Sequence, residues 1–114
     1  MITGAHLIVF TDGAEQAREF LRDGLGLRSV DAGDGWLIFE LPRAEVAVHP
    51  STESRHELYL MCDELEATVT DLETKGATFD RPPREAAWGR LATMTIPGGT
   101  RLVLYQPSHP TPGG

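Results

Sequence analysis

Four segments alternate ionisable or aromatic side chains with apolar ones. They are His6-Leu-Ile-Val-Phe10, Glu45-Val-Ala-Val-His49, Glu57-Leu-Tyr-Leu-Met61 and Arg101-Leu-Val-Leu-Tyr105. A period of two is the signature of a strand with two unlike faces. One face is aliphatic: Leu7 and Val9, Val46 and Val48, Leu58 and Leu60 with Cys62, Leu102 and Leu104. The other mixes apolar bulk with His6, Phe10, His49, Glu57, Tyr59, Met61, Arg101, Val103 and Tyr105. The aliphatic face is expected under helices, and the mixed face suits a ligand-lined concavity. There Phe10, Tyr59, Met61, Val103, Tyr105 and Trp88 supply apolar contact, with His6, Glu57 and Arg101 as polar anchors. Trp88 sits in the Pro-rich 81–90 loop, read as a pocket rim or lid. Trp36 is read as a core or dimer contact. Cys62, on the aliphatic face, is read as a buried inert thiol rather than a nucleophile.

Other elements must hold those strands. Asp12 with Glu15, and Asp63 with Glu66, read as helix starts. The first helix carries Ala14, Ala17, Phe20, Leu21 and Leu25 and ends at Gly24 and Gly26. The second carries Leu65, Val69 and Leu72 and ends at Gly76. Strands are expected over 5–11, 27–32, 35–41, 45–49, 57–62, 77–80, 90–96 and 100–105. Turns at Asp31–Gly35 and Pro97-Gly98-Gly99 separate two of the pairs. The order is βαβββ followed by βαβββ. Sliding the chain by 51 positions lays His6 on Glu57, Leu7 on Leu58, Asp12 on Asp63 and Leu21 on Leu72. Two such copies, about 4–50 and 56–107, are expected to pack as one domain over residues 1–107, followed by a flexible tail over 108–114.

Composition narrows the functions available. At 114 residues the chain is long enough for one core without staples. Its single cysteine excludes an internal disulfide or a Cys-rich zinc site. No apolar run approaches the ~18–20 residues that would span a bilayer, and no signal peptide is read at the start, so a cytoplasmic protein is expected. Seventeen acids against ten bases give a net charge of −7. That field opposes nucleic acid and anionic membranes, and Arg81, Arg84 and Arg90 are too scattered to offset it.

The stretch from His6 through Phe20-Leu-Arg-Asp-Gly-Leu-Gly-Leu27 resembles the opening of the vicinal oxygen chelate superfamily. That superfamily includes glyoxalase I, bleomycin-resistance proteins and extradiol dioxygenases. Cys62-Asp-Glu-Leu65, Trp88-Gly-Arg90 and Ile96-Pro-Gly-Gly-Thr-Arg-Leu-Val-Leu-Tyr-Gln-Pro107 resemble its second half. The resemblance covers nearly the whole chain. It implies an α+β fold in which two βαβββ modules form one incomplete eight-stranded β-barrel or cup, with helices on the outer face. It fixes no reaction, because the superfamily hosts many.

Active members usually hold one divalent metal through ligands on the first, fourth, fifth and eighth strands. Carried over, the first ligand is His6 and the third Glu57, while Ala47 and Val103 fill the other two positions with apolar side chains. A two-residue slide of the fourth strand would offer His49, making a His6, His49 and Glu57 set suited to iron, manganese, nickel or zinc. The expected cofactor is therefore none or one such metal. The resemblance implies a glyoxalase- or bleomycin-resistance-like protein that binds a small organic ligand without the usual four-ligand metal site. The alternative is a metal-dependent lyase or dioxygenase-type enzyme in which His6 and Glu57 are catalytic, Glu57 as ligand or general base. A homodimer is expected by the same analogy, with no nucleic-acid or membrane partner.

Overall fold

The second half of the chain folds where strand pattern, glycine turn and apolar helix stripe coincide. A computed structural model describes Met1, residues 5–48 and residues 50–112. In it α1 spans Ala14–Glu19 and runs into a π-turn, Phe20–Gly24. Strands β1 (Ser29–Asp31) and β2 (Leu37–Phe39) follow, then β3 (Tyr59–Met61) and α2 (Leu65–Thr74). The chain ends with β4 (Arg84–Ala86), β5 (Gly89–Thr95) and β6 (Arg101–Pro107).

β1 and β2 form a separate antiparallel hairpin. Its turn is built on Asp31, whose carboxylate accepts from the Gly33 and Gly35 amides at 2.7 and 3.2 Å. The other sheet has the order β3-β6-β5-β4. β3 runs parallel to β6, with Tyr59 opposite Val103 and Met61 opposite Tyr105, and β5 and β6 form a long antiparallel hairpin. One face of this sheet bears Ala92, Met94, Leu102 and Leu104. It packs under both helices against Ala17, Phe20, Leu65 and Leu72, with Leu60 and Cys62 beside them. The aliphatic parity read from the sequence holds for this half.

Both helices start one or two residues later than expected, and neither aspartate caps. Gly13 is the N-cap of α1. The Thr11 hydroxyl accepts from the Gly13 amide at 3.1 Å and donates to the Gly98 carbonyl. This ties the start of α1 to the β5–β6 turn, and the backbones approach so closely that a Cβ on Gly13 would lie 2.5 Å from the Gly98 Cα. Glu64 is the N-cap of α2, and the side-chain oxygen of Gln106 takes the Leu65 amide at 2.7 Å. Gln106 thus does from another strand what Asp63 was expected to do locally.

The first half departs further from expectation. The described residues form six strands in two sheets. The expected strands over 5–11 and 45–49 are irregular where described, and the one over 77–80 is reduced to a bridge between Thr78 and Thr95. Leu7, Val46 and Val48, expected under a helix, are exposed. The reason lies partly in the turn that would feed the fourth strand. Leu41-Pro42-Arg43-Ala44 has no glycine, whereas the β5–β6 turn uses Gly98 and Gly99 at φ +101° and +97°. Without the fourth strand, the first has no parallel neighbour of the kind β3 finds in β6.

Candidate functional site

The face of the four-stranded sheet away from the helices gathers most of the chemistry. β3 and the residues before it place Arg55, Glu57, Tyr59 and Met61 at alternate positions, and β6 places Arg101, Val103 and Tyr105. Tyr59 donates its hydroxyl to the Glu57 carboxylate at 2.8 Å, and the Arg55 guanidinium reaches the other oxygen at 3.3 Å. The Tyr59 bond, aided by Arg55, holds the Glu57 carboxyl below its usual range. The same carboxylate, and then burial, push the Tyr59 phenol up. At neutral pH the pair is therefore a phenol donating to an ionised carboxylate.

Tyr59 meets Tyr105 edge to face, with ring centroids 5.7 Å apart. Tyr105 is buried, and burial pushes its phenol up. Its hydroxyl donates to the Trp88 carbonyl at 3.0 Å and hydrogen-bonds His109 Nε2. Gly89 makes this possible, because a Cβ there would stand 2.7 Å from the Tyr105 ring. The Trp88 carbonyl also accepts from the Ser108 amide at 2.9 Å, and His109 Nδ1 lies 2.8 Å from the Pro110 carbonyl. The chain after β6 is thus folded back over the end of the aromatic pair. Beside it lies an open concavity of about 410 Å³, lined by Met61, Cys62, Asp63, Gln106, Pro107, His109 and Thr111.

Of the site residues read from sequence, the structure brings Glu57, Tyr59, Met61, Val103 and Tyr105 onto one face. Arg101 stands exposed at the start of β6. The Trp88 side chain is exposed at the rim, while its carbonyl anchors Tyr105. Phe10 and His6 lie on the irregular 5–10 segment, both exposed, and His49 lies outside the described residues. Arg55, Gln106 and His109 were not among the predicted site residues. The signal for one of them was present, since Arg55 extends the odd-numbered alternation of Glu57, Tyr59 and Met61. Cys62 is half-buried against the core, and burial pushes its thiol up, away from nucleophilic use.

The donors among the described residues do not suit a metal centre of the kind the resemblance implies. Among the described residues no three His, Cys, Asp or Glu side chains converge. Val103, in register between Tyr59 and Thr93, offers no donor atom.

The sequence matches the Glyoxalase/Bleomycin resistance protein/Dioxygenase superfamily over residues 4–104. No curated protein matches it significantly. An antibiotic binding protein from Streptomyces sp. CB03234, TnmS3, superposes with a TM-score of 0.64 at 24% identity, covering 95% of this chain and 100% of that one. A lactoylglutathione lyase from Agrobacterium tumefaciens superposes with a TM-score of 0.62 at 15% identity, covering 86% and 88%. A superfamily member from Sphaerobacter thermophilus gives 0.59 at 23%, covering 87% and 91%. At these identities the likeness bears on the fold alone. Among the described residues no helix is long and apolar enough to cross a membrane.

Proposed function

The chain belongs to the glyoxalase/bleomycin resistance protein/dioxygenase superfamily, and on that premise we propose that it binds a small organic ligand and performs no metal chemistry on it. The observation that carries this reading is the Tyr59–Tyr105 ring pair, set between an ionised Glu57 and the open concavity bordered by Met61 and His109. Aromatic edges offer flat contact, and one fixed carboxylate orients a donor. The fold likeness to an antibiotic binding protein makes antibiotics the first compounds to try.

In this reading residues 1–107 act as one domain, whose two modules together border an incomplete eight-stranded cup. Val103 and Met61 floor the ligand site, Arg101 and Trp88 stand at its rim, and the chain pairs as a homodimer. The absence of donors at Ala47 and Val103 favours binding over lyase or dioxygenase chemistry. The test is an NMR titration of the tyrosine ring signals with a panel of antibiotics. Saturable shifts of Tyr59 and Tyr105, lost in Tyr59→Ala, are expected. Shifts that ignore that substitution would displace the site.

A further inference from the structure

The four-stranded sheet sorts its charges by face. Residues in register on neighbouring strands share a face. One row on the face away from the helices runs Arg84, Leu91, Tyr105 and Met61, from β4 across to β3. The next row holds Val103 and Tyr59, and Arg101 stands two residues before Val103 on the same side. Arg55 and Glu57 precede Tyr59 at alternate positions. Among the described residues of these strands and of the lead into β3, this face thus carries three guanidinium groups against the single carboxylate of Glu57. The opposite parity is balanced differently. Glu85 and Arg90, in register on β4 and β5, turn toward α2, where Arg90 forms ion pairs with both Glu66 and Glu85.

The imbalance runs against the composition, which has seventeen acids and ten bases. It is not cancelled locally either. Glu57 is already engaged by the Tyr59 hydroxyl and the Arg55 guanidinium. Arg84 and Arg101 form no ion pair among the described residues. Arg84 stands on the edge strand, exposed, yet its charge is felt across the sheet. Glu57 and then burial push the Tyr59 phenol up, and the charges of Arg84 and Arg55 hold that rise back. The Arg84 guanidinium is therefore directed over the tyrosine pair rather than away from it.

An unpaired guanidinium is a planar fork that matches a carboxylate and stays charged at every ordinary pH. We propose that the ligand of this face is an aromatic acid, with its ring against Tyr59 and Tyr105 and its carboxylate held by Arg84. This rests on the ligand-binding reading above and adds the sign of the ligand's charge. A cationic ligand would meet Arg84 and Arg101 unpaired, with the one carboxylate already shared between Tyr59 and Arg55.

Three probes that share one ring system test it: naphthoate, its neutral amide and naphthylmethylamine. Each is titrated near neutral pH and followed by the ring NMR signals of Tyr59 and Tyr105, in the wild type, Arg84→Gln and Arg18→Gln. Arg84 is exposed and outside the core cluster, so its replacement leaves the fold intact. Arg18 lies on α1, behind the sheet, and its replacement removes the same charge without touching the face. Naphthoate is expected to bind at least ~10-fold more tightly than the amide, an advantage lost in Arg84→Gln and kept in Arg18→Gln. Tightest binding by the amine, equal binding of acid and amide, an advantage that survives Arg84→Gln, or one lost equally in Arg18→Gln each overturns the assignment and leaves ligand binding at the tyrosine pair standing. No saturable shift with any probe overturns the aromatic acid as well, and the antibiotic panel then judges the binding reading on its own.

Discussion

Replacing Tyr105 by Phe tests whether the tail is seated on the aromatic pair. The ring stays, so its burial and its edge contact with Tyr59 at 5.7 Å are kept. Only the hydroxyl goes, with its bonds to the Trp88 carbonyl and His109. The Trp88 carbonyl still receives the Ser108 amide, and the His109 nitrogen reaches water because that residue is exposed. No buried group is orphaned, so the cost is that of a net hydrogen bond, about 1 kcal/mol, rather than a full desolvation penalty. For a domain of this size that lowers Tm by roughly 3–6 °C. The pH dependence has a definite sign. Burial raises the Tyr105 phenol in the fold, so its contribution is intact below the ordinary phenol range and is lost as pH rises through the folded value. Tyr105→Phe should therefore flatten the alkaline fall in stability. Urea unfolding of Tyr105→Phe, His109→Ala and the double variant should give a coupling of about 0.5 kcal/mol or more. Zero coupling, with Tyr105→Phe neutral, would mean that the tail does not rest where the geometry puts it.

Tyr59→Phe should raise the Glu57 carboxyl toward its ordinary value, read by carboxyl NMR, because the phenol is the chief cause of its lowering. The stability tied to that carboxylate is present above the unfolded value and lost as pH falls through the folded one, so the variant should lose part of its acid-side dependence. Gly98→Ala should cost about 2–4 kcal/mol in urea, since it joins a positive φ to a Cβ 2.7 Å from the Gly13 carbonyl oxygen; Gly99→Ala, with open space around it, should cost about 1 kcal/mol. Met94→Ala should cost about 2–5 kcal/mol, because the side chain is fully buried. Calorimetric titration with zinc or nickel should show no stoichiometric binding, and one-to-one binding abolished by Glu57→Gln would restore the enzyme reading.

Much of the second half was legible because its signals are local. The alternation in 101–105, the Pro97-Gly98-Gly99 turn and the Leu65, Val69, Leu72 stripe each stand in a few neighbouring residues, and they agree. The cap of α2 was not legible for the opposite reason. Asp63 has the right type and place, but Gln106 of β6 reaches the amide instead. His109 was passed over because proline and glycine around it read as a loose tail. Its bond to Tyr105 depends on Gly89 letting the ring approach the backbone, a tertiary condition with no local mark.

The internal repeat explains both what the pattern foretold and where it stopped. It maps residues 5–10 onto 56–61, which hold β3 and the residues leading into it, and the alternation in both is sound. A strand, however, needs a neighbour as well as a pattern. β3 has β6, which a glycine turn folds back on β5. The matching residues 45–48 follow a Pro-containing link with no glycine and carry two valines where β6 carries two leucines. That difference in turn chemistry and apolar bulk is small, but a parallel pair of short strands has little stability to spare. Within one chain the balance tips against the first sheet.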